Sequence, residues 1–255
     1  MGSTFILNKK QMLSSVRVSV RRAMATNVAK KIDQVQGAAL EESCILVDNS
    51  DKVIGRASKH DCHKVGPDGN IPLHRAFSVF IFNSKNEILL QKRSDMKVTF
   101  PGYITNACCS HPLFDGEGET EEKNALGIRL AAQRRLQHEL GIPKHEIDID
   151  ALQYLTRIHY KSVGDGVWGE HEIDYILFLC KDVTLNPNPN EVSRVCFVPK
   201  NEFNTFLNKL EEPITPWFRL IVENRLSKWW DNINDLKRFY DHGNINTFGS
   251  TNFNL

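Results

Sequence analysis

The chain has 255 residues, 41% of them hydrophobic and 25% charged, ordinary values for a soluble globular protein of one large or two small domains. No stretch approaches the roughly 20 apolar residues that span a bilayer, so membrane insertion is not expected. Six cysteines with no CxxC pair argue against a disulfide scaffold or a zinc ribbon and point to a reducing compartment.

The net charge of +1 hides an asymmetry. Residues 1–32 hold seven Lys and Arg and no acid, which leaves the remainder with 25 bases against 31 acids. This Arg-, Ser- and Ala-rich extension has the composition of a mitochondrial transit segment, with a disordered basic tail as the alternative. The mildly acidic remainder argues against a nucleic-acid partner.

In chain order, the domain is expected to start near Asp33 and to run to residue 242. Residues 43–48 read as a strand and Asn49 to Lys52 as a turn. Gly66-Pro67-Asp68-Gly69-Asn70 is a loop. Residues 74–82 form a strand rich in aromatic and β-branched side chains, and 83–86 turn it into a returning strand at 87–92. The acid-rich segment 115–122 reads as a solvated loop that leads into a helix over 120–140, where acids complement the helix dipole. Leu126, Leu130, Leu136 and Leu140 give that helix a partly periodic apolar face. Gly141 and Pro143 end it. Strands follow at 154–160, 173–179 and 192–198, a short helix at 201–210, and helical structure at 217–240. Residues 243–255, rich in Asn and Gly, are expected to be disordered. Interspersed strands, hairpins and helices fit an α+β class with a mixed sheet.

The chemistry concentrates in a few places. Cys109 and His111 stand two apart in Cys108-Cys109-Ser110-His111-Pro112, so on an extended backbone both side chains share a face and Cys108 points the other way. Glu170 and Glu172 repeat that geometry, with His171 turned away between them. Two carboxylates side by side are costly to bury unless a cation or a shared proton neutralises them. His63, His74 and His111 with Glu170 and Glu172 make a His3Glu2 set suited to Mg²⁺, Mn²⁺ or Zn²⁺, with imidazole leaning toward the transition metals.

The ordered pieces Cys62-His63, Leu73-His74-Arg75-Ala76-Phe77-Ser78, Thr105-Asn106 with Cys108-Cys109-Ser110-His111-Pro112, Gly169-Glu170-His171-Glu172, and Ile214-Thr215-Pro216-Trp217 resemble the type I isopentenyl-diphosphate isomerases. The resemblance covers residues 42–241. It implies a Nudix-like mixed sheet flanked by helices, with extra N- and C-terminal elements, and reversible conversion of isopentenyl diphosphate to dimethylallyl diphosphate through a tertiary carbocation. It also implies that Cys109 and Glu172 are the acid–base pair, with Tyr160 beside the glutamate and Trp217 over the allylic carbons. His63, His74, His111, Glu170 and Glu172 would hold a first divalent metal, and Glu139 a Mg²⁺ that arrives with the diphosphate. Lys59, Arg93, Lys97 and Arg135 would bind the diphosphate, with hydrogen bonds from Ser110. Quaternary structure is expected to be a monomer or a weak homodimer, and residence mitochondrial or cytoplasmic. The final Phe253-Asn254-Leu255 is not a Ser-Lys-Leu-type peroxisomal signal, although peroxisomal residence stays open.

Two other readings compete. The Nudix hydrolase pattern wants acids at 135, 138 and 139, whereas Arg135, His138 and Glu139 retain only one, so the diphosphate should be held and not cleaved. A closed structural metal site with an inert Cys109 would leave Trp217 and the basic residues without a purpose.

Overall fold

The computed structural model describes residues 32–248; the basic extension 1–31 and residues 249–255 lie outside the described residues. A short helix α1 (Gln34–Ala39) opens the fold, capped by the Asp33 carboxylate, which accepts from the Val35 and Gln36 amides. The hairpin β1 (Ser43–Val47) and β2 (Val53–Ser58) leads through α2 (Lys59–His63) to β3 (His74–Phe82). Next come β4 (Ile88–Arg93), the short strands β5 (Ile104–Thr105) and β6 (Cys108–Ser110), and the helix α3 (Leu126–Leu140). The sheet is completed by β7 (Gln153–Ser162), β8 (Glu170–Cys180) and β9 (Val192–Val198). After α4 (Lys200–Asn208), α5 (Pro216–Ile221) runs through a π-helical turn into α6 (Ser227–Asp231), and β10 (Asp241–Thr247) ends the described chain.

β3 is buried along its whole length, which fits its Ala76-Phe77 and Val79-Phe80-Ile81-Phe82 runs. It pairs in parallel with β8 over nine residues, and β8 pairs antiparallel with β7. Side-chain alternation then divides the core in two. Phe77, Val79 and Ile81 face α3, where Ile128, Ala131, Ala132, Leu136 and Leu140 fill the layer. Phe80 and Phe82 face the C-terminal helices with Phe178, Trp217, Phe218, Trp229 and Trp230. The expected mixed sheet with helices on both sides is the observed architecture.

Four expectations need correction. The helix expected over 120–140 begins only at Leu126, because Asn124 (φ 53°) and Ala125 (φ 52°) occupy the left-handed region and break it from the preceding 3₁₀ turn. Its first turn carries no acid, and Glu119 is buried: it accepts from the Leu113 amide and pairs with Arg134 at 2.5 Å. The core-facing stripe also differs, since Leu126 and Leu130 are only half-buried while Ile128, Ala131 and Ala132 sit inside. Gly127 is required there, as a Cβ would stand 2.2 Å from the Glu119 carbonyl. Finally, residues 243–247, expected in a disordered tail, belong to β10, an edge strand parallel to β7, secured by the Arg157 guanidinium donating to the His242 carbonyl at 2.9 Å.

Candidate active site

Strand register assembles the site. Glu172 sits opposite His74 on one side and opposite Tyr160 on the other. On β3, His74 and Ser78 point to the same face as Phe80; on β8, Glu170, Glu172 and Asp174 point to the same face as Ile176 and Phe178. That face belongs to the aromatic layer around Trp217. The short β6 pairs antiparallel with β3 and sets Cys109 opposite Ser78. His111 follows at its end, and His63 comes from the last position of α2.

The donor atoms of His63, His74, His111, Glu170 and Glu172 lie within 4.8 Å of one another, all in buried side chains. Opposite ligands on one ion with bonds near 2.1 Å stand about 4.2 Å apart, so a small contraction would close the five on a cation. Tautomers support this. His63 Nδ1 lies 2.7 Å from the Lys59 carbonyl and His74 Nδ1 lies 2.9 Å from the Pro72 carbonyl. A carbonyl only accepts, so both Nδ1 atoms carry hydrogen and, in a neutral ring, Nε2 presents a lone pair. Those Nε2 atoms face carboxylate oxygens, His63 toward Glu170 at 2.9 Å and His74 toward Glu172 at 3.5 Å. Buried lone pair against lone pair needs positive charge between. His63 Nε2, His74 Nε2, His111 Nδ1 and Glu170 Oε2 have no hydrogen-bond partner, which is the signature of ligands to a cation. A proton can take its place: burial depresses the His74 imidazole, but the Glu172 carboxylate outweighs that and carries it to about 9. Burial then holds His111 well below its usual value, helped by the charges of His63 and His74.

Glu172 joins the His3Glu2 cluster to the cavity that Cys109 and Trp217 line. Its Oε1 receives His111 Nε2 at 2.8 Å, and its Oε2 accepts from the Tyr160 hydroxyl. Burial opposes ionisation of Glu172, yet the neighbouring His74, then the Tyr160 hydroxyl, hold it below the ordinary carboxylate range. Burial, then the neighbouring Glu172, Glu170 and Asp174, push the Tyr160 phenol well up.

Cys109 stands beside the indole nitrogen of Trp217. Burial, followed by the Asp174 charge, raises its thiol to about 12, so it rests protonated. Trp217 Nε1 donates to its sulfur at 2.9 Å, and the Tyr160 and Trp217 rings stand 6.2 Å apart. The indole therefore neighbours both the thiol and the tyrosine that donates to Glu172. Cys108 faces the α3 layer and is fully buried there. Cys108→Ala is expected to keep most activity and to cost about 1 kcal/mol of stability; a loss of turnover comparable to that of a Cys109 variant would contradict the face assignment. His171 also faces away, its Nε2 3.0 Å from that of His159.

The basic residues divide. Lys59, Arg93, Lys97 and Ser110 line the same cavity as Cys109, His111, Glu170 and Trp217. Arg93 also donates to the Thr99 and Phe100 carbonyls, bracing a turn in which Phe100 has φ 48° and packs edge-on to Trp217 at 5.3 Å. Arg135 and Glu139 do not line the cavity. They form a buried pair at 2.6 Å on one face of α3, and Gln91 donates weakly to the same carboxylate at 3.4 Å.

Three contributors escaped the sequence reading. Asp174 continues the alternation of Glu170 and Glu172, and that period could have revealed it; burial and then Glu172 push its carboxyl well up. Ser78 donates to Asp174 at 2.8 Å and lies 3.4 Å from the Cys109 sulfur. Glu191 carried no local signal. It gathers Lys97, Arg135 at 3.4 Å and His138 at 3.2 Å, and accepts from Gln36 of α1 at 3.3 Å. Burial opposes its ionisation, but Lys97 and the other bases hold it far below the usual range.

Comparison with known proteins agrees with the geometry. The NUDIX domain model matches residues 72–218. Isopentenyl-diphosphate Delta-isomerase 1 of Mesocricetus auratus is 54% identical over 217 residues, covering 84% of this chain and 95% of its own length. The protein of the same name from Mus musculus matches equally, at 54% over 217 residues with the same shares. Isopentenyl-diphosphate Delta-isomerase I of Clarkia breweri is 47% identical over 222 residues, covering 83% of this chain and 77% of its own. With such relatives spanning the strands that carry Cys109, His74 and both glutamates, the chain belongs to the isopentenyl-diphosphate Delta-isomerase family, built on a NUDIX domain.

Proposed function

We propose that this protein interconverts isopentenyl and dimethylallyl diphosphate. The observation that carries the reading is that one indole neighbours both a protonated thiol, 2.9 Å from its Nε1, and the Tyr160 ring, whose hydroxyl donates to an ionised, buried carboxylate. In the resting site Cys109 holds a proton and Glu172 lacks one. The thiol S–H bond breaks as its proton adds to the terminal alkene carbon, leaving a tertiary cation. Glu172 takes a proton from the methylene next to the diphosphate-bearing carbon, and that C–H electron pair becomes the new double bond. Trp217 contributes about 1–2 kcal/mol of cation–π stabilisation and its N–H supports the thiolate. Burial excludes water that would trap the cation. Exchange with water after product release resets both groups, and the reverse reaction runs through the same atoms.

His63, His74, His111, Glu170 and Glu172 would hold one divalent ion, whose charge balances the paired carboxylates and fixes Glu172. The three imidazoles favour Mn²⁺ or Zn²⁺ over Mg²⁺. Lys59, Arg93 and Lys97 would receive the diphosphate. A Mg²⁺ carried by it would use Glu139 once Arg135 yields its salt bridge. Monomeric or weakly dimeric state and mitochondrial or cytoplasmic residence, with peroxisomal residence still open, rest on composition and the basic extension alone.

A hydrolase reading lacks its acid cluster, since the one acid at the matching positions, Glu139, is neutralised by Arg135. Incubation with isopentenyl diphosphate and Mg²⁺ in D₂O should give dimethylallyl diphosphate carrying deuterium, with no released phosphate. Phosphate release without allylic product would sink the isomerase reading.

A further inference from the structure

Thr215 occupies the N-cap position of α5, ahead of Pro216, where a threonine hydroxyl ordinarily accepts from the first-turn amides. It makes no such bond. Its hydroxyl turns sideways and lies 2.8 Å from the Thr105 hydroxyl. Thr105 in turn donates to Asn106 Oδ1 at 3.0 Å. All three residues are fully buried.

Asn106 leaves little freedom in this chain. Its amide hydrogens go to the Val79 carbonyl at 3.0 Å and the Cys108 carbonyl at 3.2 Å. Flipping the amide would set oxygen against two carbonyls, so Oδ1 is fixed as the acceptor. That oxygen also receives the Cys109 thiol at 3.0 Å, and the Thr105 hydroxyl stands 3.9 Å from the same sulfur. The same sulfur takes the Trp217 indole N–H at 2.9 Å. The thiol is thus held between an acceptor on the β5–β6 turn and a donor on α5. The Thr105–Thr215 contact ties those two elements together, assisted by the Thr215 amide donating to the Ile104 carbonyl at 3.0 Å.

We propose that Thr105, Asn106 and Thr215 form a buried hydroxyl–amide brace that positions the Cys109 thiol against the Trp217 indole. They are positioning residues: none lines the cavity, and each acts through the sulfur or the indole. The proposal rests on the isomerase reading for its kinetic consequence, and its spectroscopic consequence is independent of that reading. A reacting sulfur displaced by about 1 Å can cost about 100-fold in rate, and a smaller displacement less, while substrate binding is unaffected.

The test compares Thr105→Val, which deletes the hydroxyl at nearly constant shape, with Thr105→Ser, which keeps it. Thr105→Val should lower kcat about tenfold with KM and metal content unchanged, and Asn106→Ala about 100-fold. Thr105→Ser should recover most of the wild-type kcat. The Cys109 S–H stretching band, identified by infrared difference against Cys109→Ala, should move toward the frequency of a free thiol in Asn106→Ala and shift in Thr105→Val. A folded Thr105→Val protein with wild-type kcat and an unmoved band would overturn the brace. So would a Thr105→Ser protein as impaired as Thr105→Val. A wild-type protein without isomerase activity would overturn the proposed function instead, and the band would still report on the brace.

Discussion

Cys109→Ala should lower kcat by about 1,000-fold or more, within the range that one positioned proton donor contributes, while bound metal per chain stays at the wild-type level. The reason is geometric. Cys109 Sγ touches Trp217, Asn106 and Ser78, and none of these is among the five clustered donors. Removing the sulfur takes away the proton and leaves the cation cluster intact. The measurement is steady-state isomerisation beside elemental analysis of the same sample. Near-normal turnover would refute the thiol assignment, and loss of metal together with activity would show that the two centres are not separable as the hydrogen bonds indicate.

Glu170→Gln should abolish metal binding without unfolding the protein. Glu170 Oε2 faces the His63 Nε2 lone pair at 2.9 Å, a contact that needs a cation. A glutamine amide can donate a hydrogen bond to that nitrogen and satisfy both partners. Metal affinity should fall by more than about 100-fold, beyond what loss of a mere supporting contact costs. The metal-free variant should melt at or above the temperature of metal-free wild type, because it gains a bond where the wild type has a conflict. Unchanged metal occupancy would refute the ligand role, and a collapsed melting temperature would refute the lone-pair argument.

The parts of the site that are local in sequence were legible. The two-residue spacing of Cys109 with His111 and of Glu170 with Glu172 sets their faces through strand periodicity, and the fold keeps both pairs and turns Cys108 and His171 away. The β3 strand was legible over its full length because its aromatic and β-branched residues, Phe77 and Val79 to Phe82, are what a strand buried on both sides favours. The start of α3 was not, since nothing in Thr120 to Ala125 announces two consecutive left-handed residues. The closing strand was missed for a related reason: Asn- and Gly-rich residues 243–247 have low strand propensity and are ordered by pairing with β7.

By itself the sequence determined which chemical groups the protein owns and, through alternation, which neighbours share a face. It also carried the loss of Nudix acids at 135 and 138. Only the tertiary structure decided how these groups meet. The parallel register of β3 with β8 sets His74 beside Glu172, and the antiparallel register of β7 adds Tyr160; a shift of one residue would point each to the opposite layer. Burial then turned an ordinary thiol into a held proton and a pair of carboxylates into a demand for a cation. It also set Arg135 and Glu139 against each other, away from the cavity. Register and desolvation are properties of strands brought together from distant parts of the chain, which is why no local stretch of residues could state them.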